Sequence, residues 1–242
     1  MSLKQAEILG VNVNSLTMVQ AVEKVQQFID ERKNALVATA NAEMLMRATQ
    51  DEELKHILNS ADLVVPDGAG TVWAANYLGV EMPERVAGYD LAQELMREAP
   101  GRGDRIYFFG SAPGVAEKAR KKAMELYPGI KIVGTRNGFF SEADEPEIIA
   151  EIKAARPDIL LVALGVPKQE KWLYKYRQEL QVPVAIGVGG TLDVMAGVMQ
   201  RAPLWMQKAK LEWLFRGLKQ PSRAGRLLAL PKFVMKVMAS KK

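Results

Sequence analysis

One carboxylate stands where an open parallel sheet does its chemistry. Asp67 follows the aliphatic run from Leu63 to Pro66 and precedes glycines at 68 and 70, so its side chain is expected at a strand tip beside bare backbone, a position that suits a general base. An aspartate in that place also caps helices, and a helix beginning at Ala69 would use it so. The other expected strand ends are polar as well: Thr39-Ala40-Asn41, Gly110-Ser111, Gly165 to Glu170 with Gln169 inside it, and Gly187-Val188-Gly189-Gly190-Thr191, with Asp193 just beyond. In a parallel sheet all of these ends face one crevice. The turn from Gly187 to Gly190 leads into an expected helix, where its amides are able to cradle phosphate. A tight strand-to-helix turn also needs glycine for its own sake. Leu192 stands where a G-x-G-x-x-G pattern would place its third glycine, and no G-x-x-x-x-G-K-[ST] occurs, so dinucleotide and P-loop readings find no support.

What is missing narrows the chemistry further. The chain has no cysteine, which removes disulfides, thiolate metal sites and thiol nucleophiles together and fits a reducing compartment. His56 is the single histidine, on a charged helical stretch with Glu52, Glu53 and Lys55, where a solvated face is expected. Histidine zinc sites and Ser-His-Asp triads are therefore excluded. No D-x-D pair is present to hold a divalent ion between diphosphate oxygens. We expect no metal and no cofactor, so compensation for a phosphorylated substrate falls to arginine, whose planar fork matches phosphate oxygens. Arg85, Arg201, Arg216, Arg223 and Arg226 are the candidates; the opposing reading is a solvated loop for Arg85 and general attraction to anionic lipid for the others.

The elements that must position these residues follow from periodicity. From about residue 34, short aliphatic runs alternate with stretches of helical period, the signature of strands joined by crossover helices, so the fold class is α/β with a Rossmann-like, mostly parallel sheet flanked by helices. Expected strands are 35–39, 63–66, 105–109, 131–134, 159–164 and 184–188, preceded by a short strand pair at 7–13. A helix starts at Thr17, where Thr17 and Gln20 form a capping box. Further helices are expected over 42–58 and 113–127. At 242 residues with 48% hydrophobic content, the chain builds an ordinary globular core.

Charge divides the chain after Gln200. Residues 1–200 carry 22 Lys+Arg against 27 Asp+Glu, whereas the last 42 residues carry 11 against one acid, Glu212. We therefore read an α/β catalytic domain over 1–200 and a basic, amphipathic, membrane-associating helical appendage over 201–242, with helices at 204–218 and 223–238, the second open to a break at Pro231. Trp205, Trp213 and Phe215 either pack on the body or anchor at a lipid interface. No secretory leader or run of about 18 apolar residues is seen, so a cytoplasmic protein, peripheral on the inner face of the plasma membrane, is expected.

Taken together, the ordered motifs resemble the WecG/TagA/CpsF family, glycosyltransferase family 26. They are Thr39-Ala-Asn41, Pro66-Asp67-Gly68, Arg85-Val-Ala-Gly88-Tyr-Asp90, Phe108-Phe109-Gly110, Leu164-Gly165-Val-Pro167-Lys168-Gln169-Glu170, Gly187-Val-Gly189-Gly190-Thr-Leu-Asp193, Arg201-Ala-Pro203, Glu212-Trp213-Leu-Phe-Arg216 and Pro221-Ser-Arg223 with Arg226. The resemblance, closest to the branch of wall teichoic acid synthesis, implies inverting transfer of N-acetylmannosamine from a UDP-sugar donor to a polyprenyl-diphosphate-linked N-acetylglucosamine acceptor. It implies Asp67 as the base and Thr39, Asn41, Arg85 and Gln169 as polar residues around the reacting sugars. Arg216, Arg223 and Arg226 match tail arginines that reach the diphosphate. Donors carrying N-acetylmannosaminuronic acid or glucose remain alternatives, self-association is left open, and an anionic membrane surface is an expected partner. A noncatalytic nucleotide sensor and a nucleic-acid-binding module are the rival classes; the acidic body and the lack of any RNA- or DNA-binding motif argue against nucleic acid.

Overall fold

A computed structural model describes residues 3–208, Glu212, Leu214, Phe215 and residues 229–241. The chain opens with an antiparallel hairpin, β1 (Gln5–Ile8) and β2 (Val11–Asn14). Leu9 and Gly10 both take positive φ at its turn, the twist that matches two flanking strands. α1 (Met18–Asp30) follows, with Thr17 and Gln20 forming the expected capping box.

Six strands build the central sheet: β3 (Ala35–Ala40), β4 (Leu63–Pro66), β5 (Arg105–Gly110), β6 (Lys131–Arg136), β7 (Ile159–Ala163) and β8 (Val184–Gly187). Their order is β4-β3-β8-β7-β5-β6, and every pairing is parallel. β3, β4 and β7 are buried along their full length, which is why they read as unbroken aliphatic runs rather than as alternating ones. The hairpin shields the β4 edge: the Asn14 side-chain oxygen accepts the Val64 N–H at 2.8 Å.

Helices cover both faces. α1, α5 (Gly88–Arg102), α6 (Val115–Leu126) and α9 (Thr191–Met195) lie on one, around Phe28, Met96, Phe108 and Ile186. On the other, α2 (Ala42–Ala48) and α4 (Ala69–Tyr77) share a core with the hairpin. α3 (Glu52–Ser60), α7 (Glu145–Ala155) and α8 (Lys168–Leu180) surround Phe109, Val162 and Trp172. The connection after β3 turns to the second face and that after β8 to the first, so a crevice opens at their shared carboxyl ends.

Several boundaries differ from the periodicity reading. The single helix expected over 42–58 is two, because the Asp51 carboxylate accepts the Leu54 N–H and starts a new helix after Ala48. The helix expected from Pro113 begins at Val115, behind a left-handed Gly114.

The end of the C-terminal stretch packs on the body. α10 is helical over Leu204–Lys208, Glu212, Leu214 and Phe215 are helical too, and α11 (Ala229–Ser240) packs against α2 and α4. Phe233 and Val237, one turn apart, are fully buried in the second core. Pro231 does not break this helix; it lies in the first turn, where backbone N–H groups have no intrahelical acceptor. Lys232, Met235, Lys236 and Met238 face outward. Trp205 is 66% exposed, so the reading that packs it on the body does not hold. Trp213 and residues 223–228 of the second expected helix lie outside the described residues. Among the described residues, no helix is long and apolar enough to cross a membrane.

Candidate active site

Asp67 is held at the tip of β4 by backbone. Its N–H donates to the Ala40 carbonyl of β3 at 2.9 Å, and the Pro66 carbonyl accepts from Val86 at 3.1 Å, tying the strand end to the loop that enters α5. Gly68, at φ 117°, occupies the cap position of α4, and no side chain caps that helix. The capping reading of Asp67 is thereby set aside. Asp67 instead lines a cleft with Tyr89, Gly190, Thr191, Arg201 and Glu212.

Beside Asp67 lies a four-charge network. Both terminal nitrogens of Arg201 engage both oxygens of Asp90, at 2.5 and 2.8 Å. The Arg201 Nε lies 3.5 Å from Glu212, and Arg85 contacts Glu212 at 3.0 Å and Asp90 at 3.8 Å. The Arg201 guanidinium also covers the Tyr89 ring at 4.7 Å. Burial works against the Arg201 charge, but the Asp90 and Glu212 carboxylates more than restore it, so the guanidinium holds its proton more tightly than usual. Burial, the dominant influence, also raises the Tyr89 hydroxyl.

Removing Arg201 leaves two carboxylates around one arginine. For Arg201→Ala we expect a loss of about 2 kcal/mol, read as a melting temperature lower by roughly 4–8 °C. Adding Asp90→Asn should restore part of that loss, and a double variant no more stable than the single one would show that the network is not the cause.

The remaining expected residues fall into three groups. Thr39 is buried and donates its hydroxyl to the Gly187 carbonyl at 2.9 Å, while Asn41 caps α2 by accepting the Met44 N–H at 3.0 Å. Gln169 is buried too, its amide oxygen accepting from Gly165 and Gly189. Their polar atoms thus hold together the backbone that carries the cleft. In the glycine turn the Gly189 amide bonds Gln169 and the Thr191 amide bonds Val188, both inside the protein. Gly187 is small because a Cβ there would meet the Gln169 Nε2 at 2.6 Å. Gly190 lines the cleft directly.

Gly110 has a packing reason, since a Cβ would come within 2.4 Å of the Ala163 carbonyl oxygen and its φ is +128°. Ser111 donates its hydroxyl to Asp193 at 3.2 Å, joining the ends of β5 and β8 across β7. Arg216, Arg223 and Arg226 lie outside the described residues.

Sequence reasoning missed Tyr89, Glu212 and Glu170 as parts of the site. The signal for Glu212 was its isolation as the single acid in a basic stretch. Glu170 is 2% exposed, and burial pushes its carboxyl up to about 7, with a hydrogen bond from Gln169 and the charge of Arg47 opposing. Below the ordinary glutamate range, folded and unfolded chains both carry this proton. As pH rises toward 7 the unfolded chain releases it while the folded one keeps it, so this group makes stability fall through that window. Comparing thermal unfolding of the parent and Glu170→Gln between pH 5 and pH 8 should show the parent losing on the order of 2–3 kcal/mol relative to the variant. Parallel pH profiles would refute this. Among the described residues, no group of three or more histidine or acidic side chains is placed to hold a metal ion.

Comparison with known proteins fits this geometry. A 211-residue stretch is 37% identical to an N-acetylglucosaminyldiphosphoundecaprenol N-acetyl-beta-D-mannosaminyltransferase of Bacillus spizizenii, covering 87% of this chain and 81% of that one. The Bacillus subtilis protein of the same name is 34% identical over 232 residues, 96% of this chain and 89% of its own length. That of Staphylococcus aureus strain MW2 is 32% identical over 240 residues, 98% and 94% of the two chains. The model of the glycosyl transferase WecG/TagA/CpsF family matches residues 6–242. With that match running through every strand end described above, the chain belongs to the WecG/TagA/CpsF family of glycosyl transferases.

Proposed function

We propose that this chain is an inverting N-acetylmannosaminyltransferase. It moves N-acetylmannosamine from UDP to the 4-hydroxyl of a polyprenyl-diphosphate-linked N-acetylglucosamine, in the synthesis of wall teichoic acid or a related surface glycopolymer. The observation that carries this reading is Asp67 at the β4 tip, in one cleft with Arg201 and the arginine-bound Glu212, in a chain alike along nearly its whole length to transferases named for that reaction.

In an inverting transfer the acceptor hydroxyl loses its proton on one face of the donor sugar while the nucleoside diphosphate departs from the other. Asp67 takes the proton. The departing diphosphate gains negative charge, and preorganised donors aimed at such charge contribute about 3 kcal/mol each. Arg216, Arg223 and Arg226 are assigned this task, with Arg85 and Arg201 at the cleft wall. No metal is required in this reading: arginine supplies the compensating charge, and the Glu212 and Asp90 carboxylates are already paired with Arg85 and Arg201. Docking is peripheral on the inner membrane face: outward Met235 and Met238 beside Lys232 and Lys236 form a surface that suits anionic lipid.

Purified enzyme should transfer label from UDP-N-acetylmannosamine to a short-chain lipid-linked acceptor and retain its rate in EDTA. A panel with UDP-glucose and the uronic acid donor tests the sugar. Preference for another donor would move the assignment within the family, and strong inhibition by EDTA would end the metal-free mechanism.

A further inference from the structure

A buried pair lies beneath Gly187, outside the residues that line the cleft. Gln169 and Glu170 open α8 and are 1% and 2% exposed, although acids in a first helical turn ordinarily face water. Both turn inward beneath Gly187, where a Cβ would meet the Gln169 Nε2 at 2.6 Å and the Glu170 Oε1 at 3.0 Å.

The bonding pattern is directional. The Gln169 amide oxygen accepts from the Gly165 N–H at 3.2 Å and from the Gly189 N–H at 3.1 Å, bridging the turns after β7 and β8. Its amide nitrogen donates to the Glu170 Oε1 at 2.7 Å. The two ends of a carboxamide have nearly the same shape, so only partners decide which way it points. Two N–H groups demand the oxygen on one side, and the nitrogen then needs an acceptor on the other, away from water. Glu170 is that acceptor, while its Oε2 has no hydrogen bond among the described residues. Gly165 and Gly189 sit at φ +78° and +52°, so these turns lean on their hydrogen bonds to hold shape. Val188, Gly190 and Thr191, beside the pinned Gly189, line the cleft opposite Asp67.

We propose that Glu170 is a positioning residue for the transferase: it holds the Gln169 amide in the one orientation that pins Gly165 and Gly189, and so fixes the cleft wall from Val188 to Thr191. It touches no substrate and acts through Gln169 and the backbone. The catalytic half of this inference rests on the cleft being the transfer site; the structural half does not.

The test compares Glu170→Ala, which removes the acceptor, with Glu170→Gln, which keeps one in the same place. Two readouts are taken: hydrogen exchange of the amides from Val188 to Thr191, and sugar transfer with kcat and KM separated. For Glu170→Ala we expect exchange at Gly189 at least tenfold faster and kcat/KM lower by roughly 10- to 100-fold, as displaced binding groups cost elsewhere. Glu170→Gln should stay within threefold of the parent on both. Should the alanine variant fail to fold, Glu170→Met, which fills the space without an acceptor, is read the same way. Exchange and kinetics within twofold of the parent in the acceptor-less variant would overturn the proposal, as would a glutamine variant as impaired as the alanine one. If the parent itself transfers no sugar, the reading of the cleft fails, and the exchange measurement still decides whether Glu170 pins the wall.

Discussion

Asp67→Asn should lower sugar transfer by about 10²- to 10⁴-fold, the span attributed to general acid–base catalysis, while leaving the melting temperature nearly unchanged. The substitution keeps shape and volume while removing the negative charge and, with it, the ability to take the proton. The backbone placement of residue 67 does not depend on the carboxylate: its N–H bonds Ala40, neighbouring Pro66 accepts from Val86, and the α4 cap position belongs to Gly68. UDP binding should persist, since the nucleotide's charge is met by arginine rather than by this carboxylate. The assay is transfer to a lipid-linked acceptor alongside calorimetric titration with UDP. Turnover close to that of the parent would remove Asp67 as the base. Loss of UDP binding together with activity would make it a binding residue instead.

Phe233→Ala should be the most destabilising change in the C-terminal stretch. The ring is fully buried among α2, α4 and the hairpin, and emptying such a site costs about 3–5 kcal/mol through lost transfer energy and the cavity left behind. In a chain of this size that corresponds to a melting temperature lower by roughly 6–20 °C. The change acts at the seam between the acidic body and the basic end, so a second effect is expected: α11 should detach first and become open to proteolysis before the sheet unfolds. Limited proteolysis with mass analysis separates this local release from global unfolding. If Phe233→Ala melts within about 1 °C of the parent, α11 is a loosely attached arm.

These two sites show how far local pattern reached. The strand runs were legible because a parallel strand buried on both faces must be aliphatic throughout. The capping box at Thr17 was legible because it is closed within four residues. Asp67 was legible as a strand-end acid, yet the capping reading stayed open until the backbone at Gly68 was known. The break between α2 and α3 was open to a closer reading, since Asp51 followed by Glu52 and Glu53 is an N-terminal signature. Charge and amphipathicity marked residues 201–242 as different from the body, but said nothing of Phe233 and Val237 reaching back into its core.

By itself, then, the sequence determined the α/β class, the positions of the strands, the exclusion of thiol and histidine chemistry, and the strand-end motifs that carry the family resemblance. All of these are composition or short-range periodicity, properties a linear string holds directly. Only the tertiary structure decided which polar residues line the cleft and which bond the protein's own backbone. Glu212 meets Arg85 across 127 residues, and Thr39 meets Gly187 across 148, because β3 and β8 are neighbours in the sheet. That adjacency is set by how long crossovers pack onto its two faces, and no local spacing encodes it.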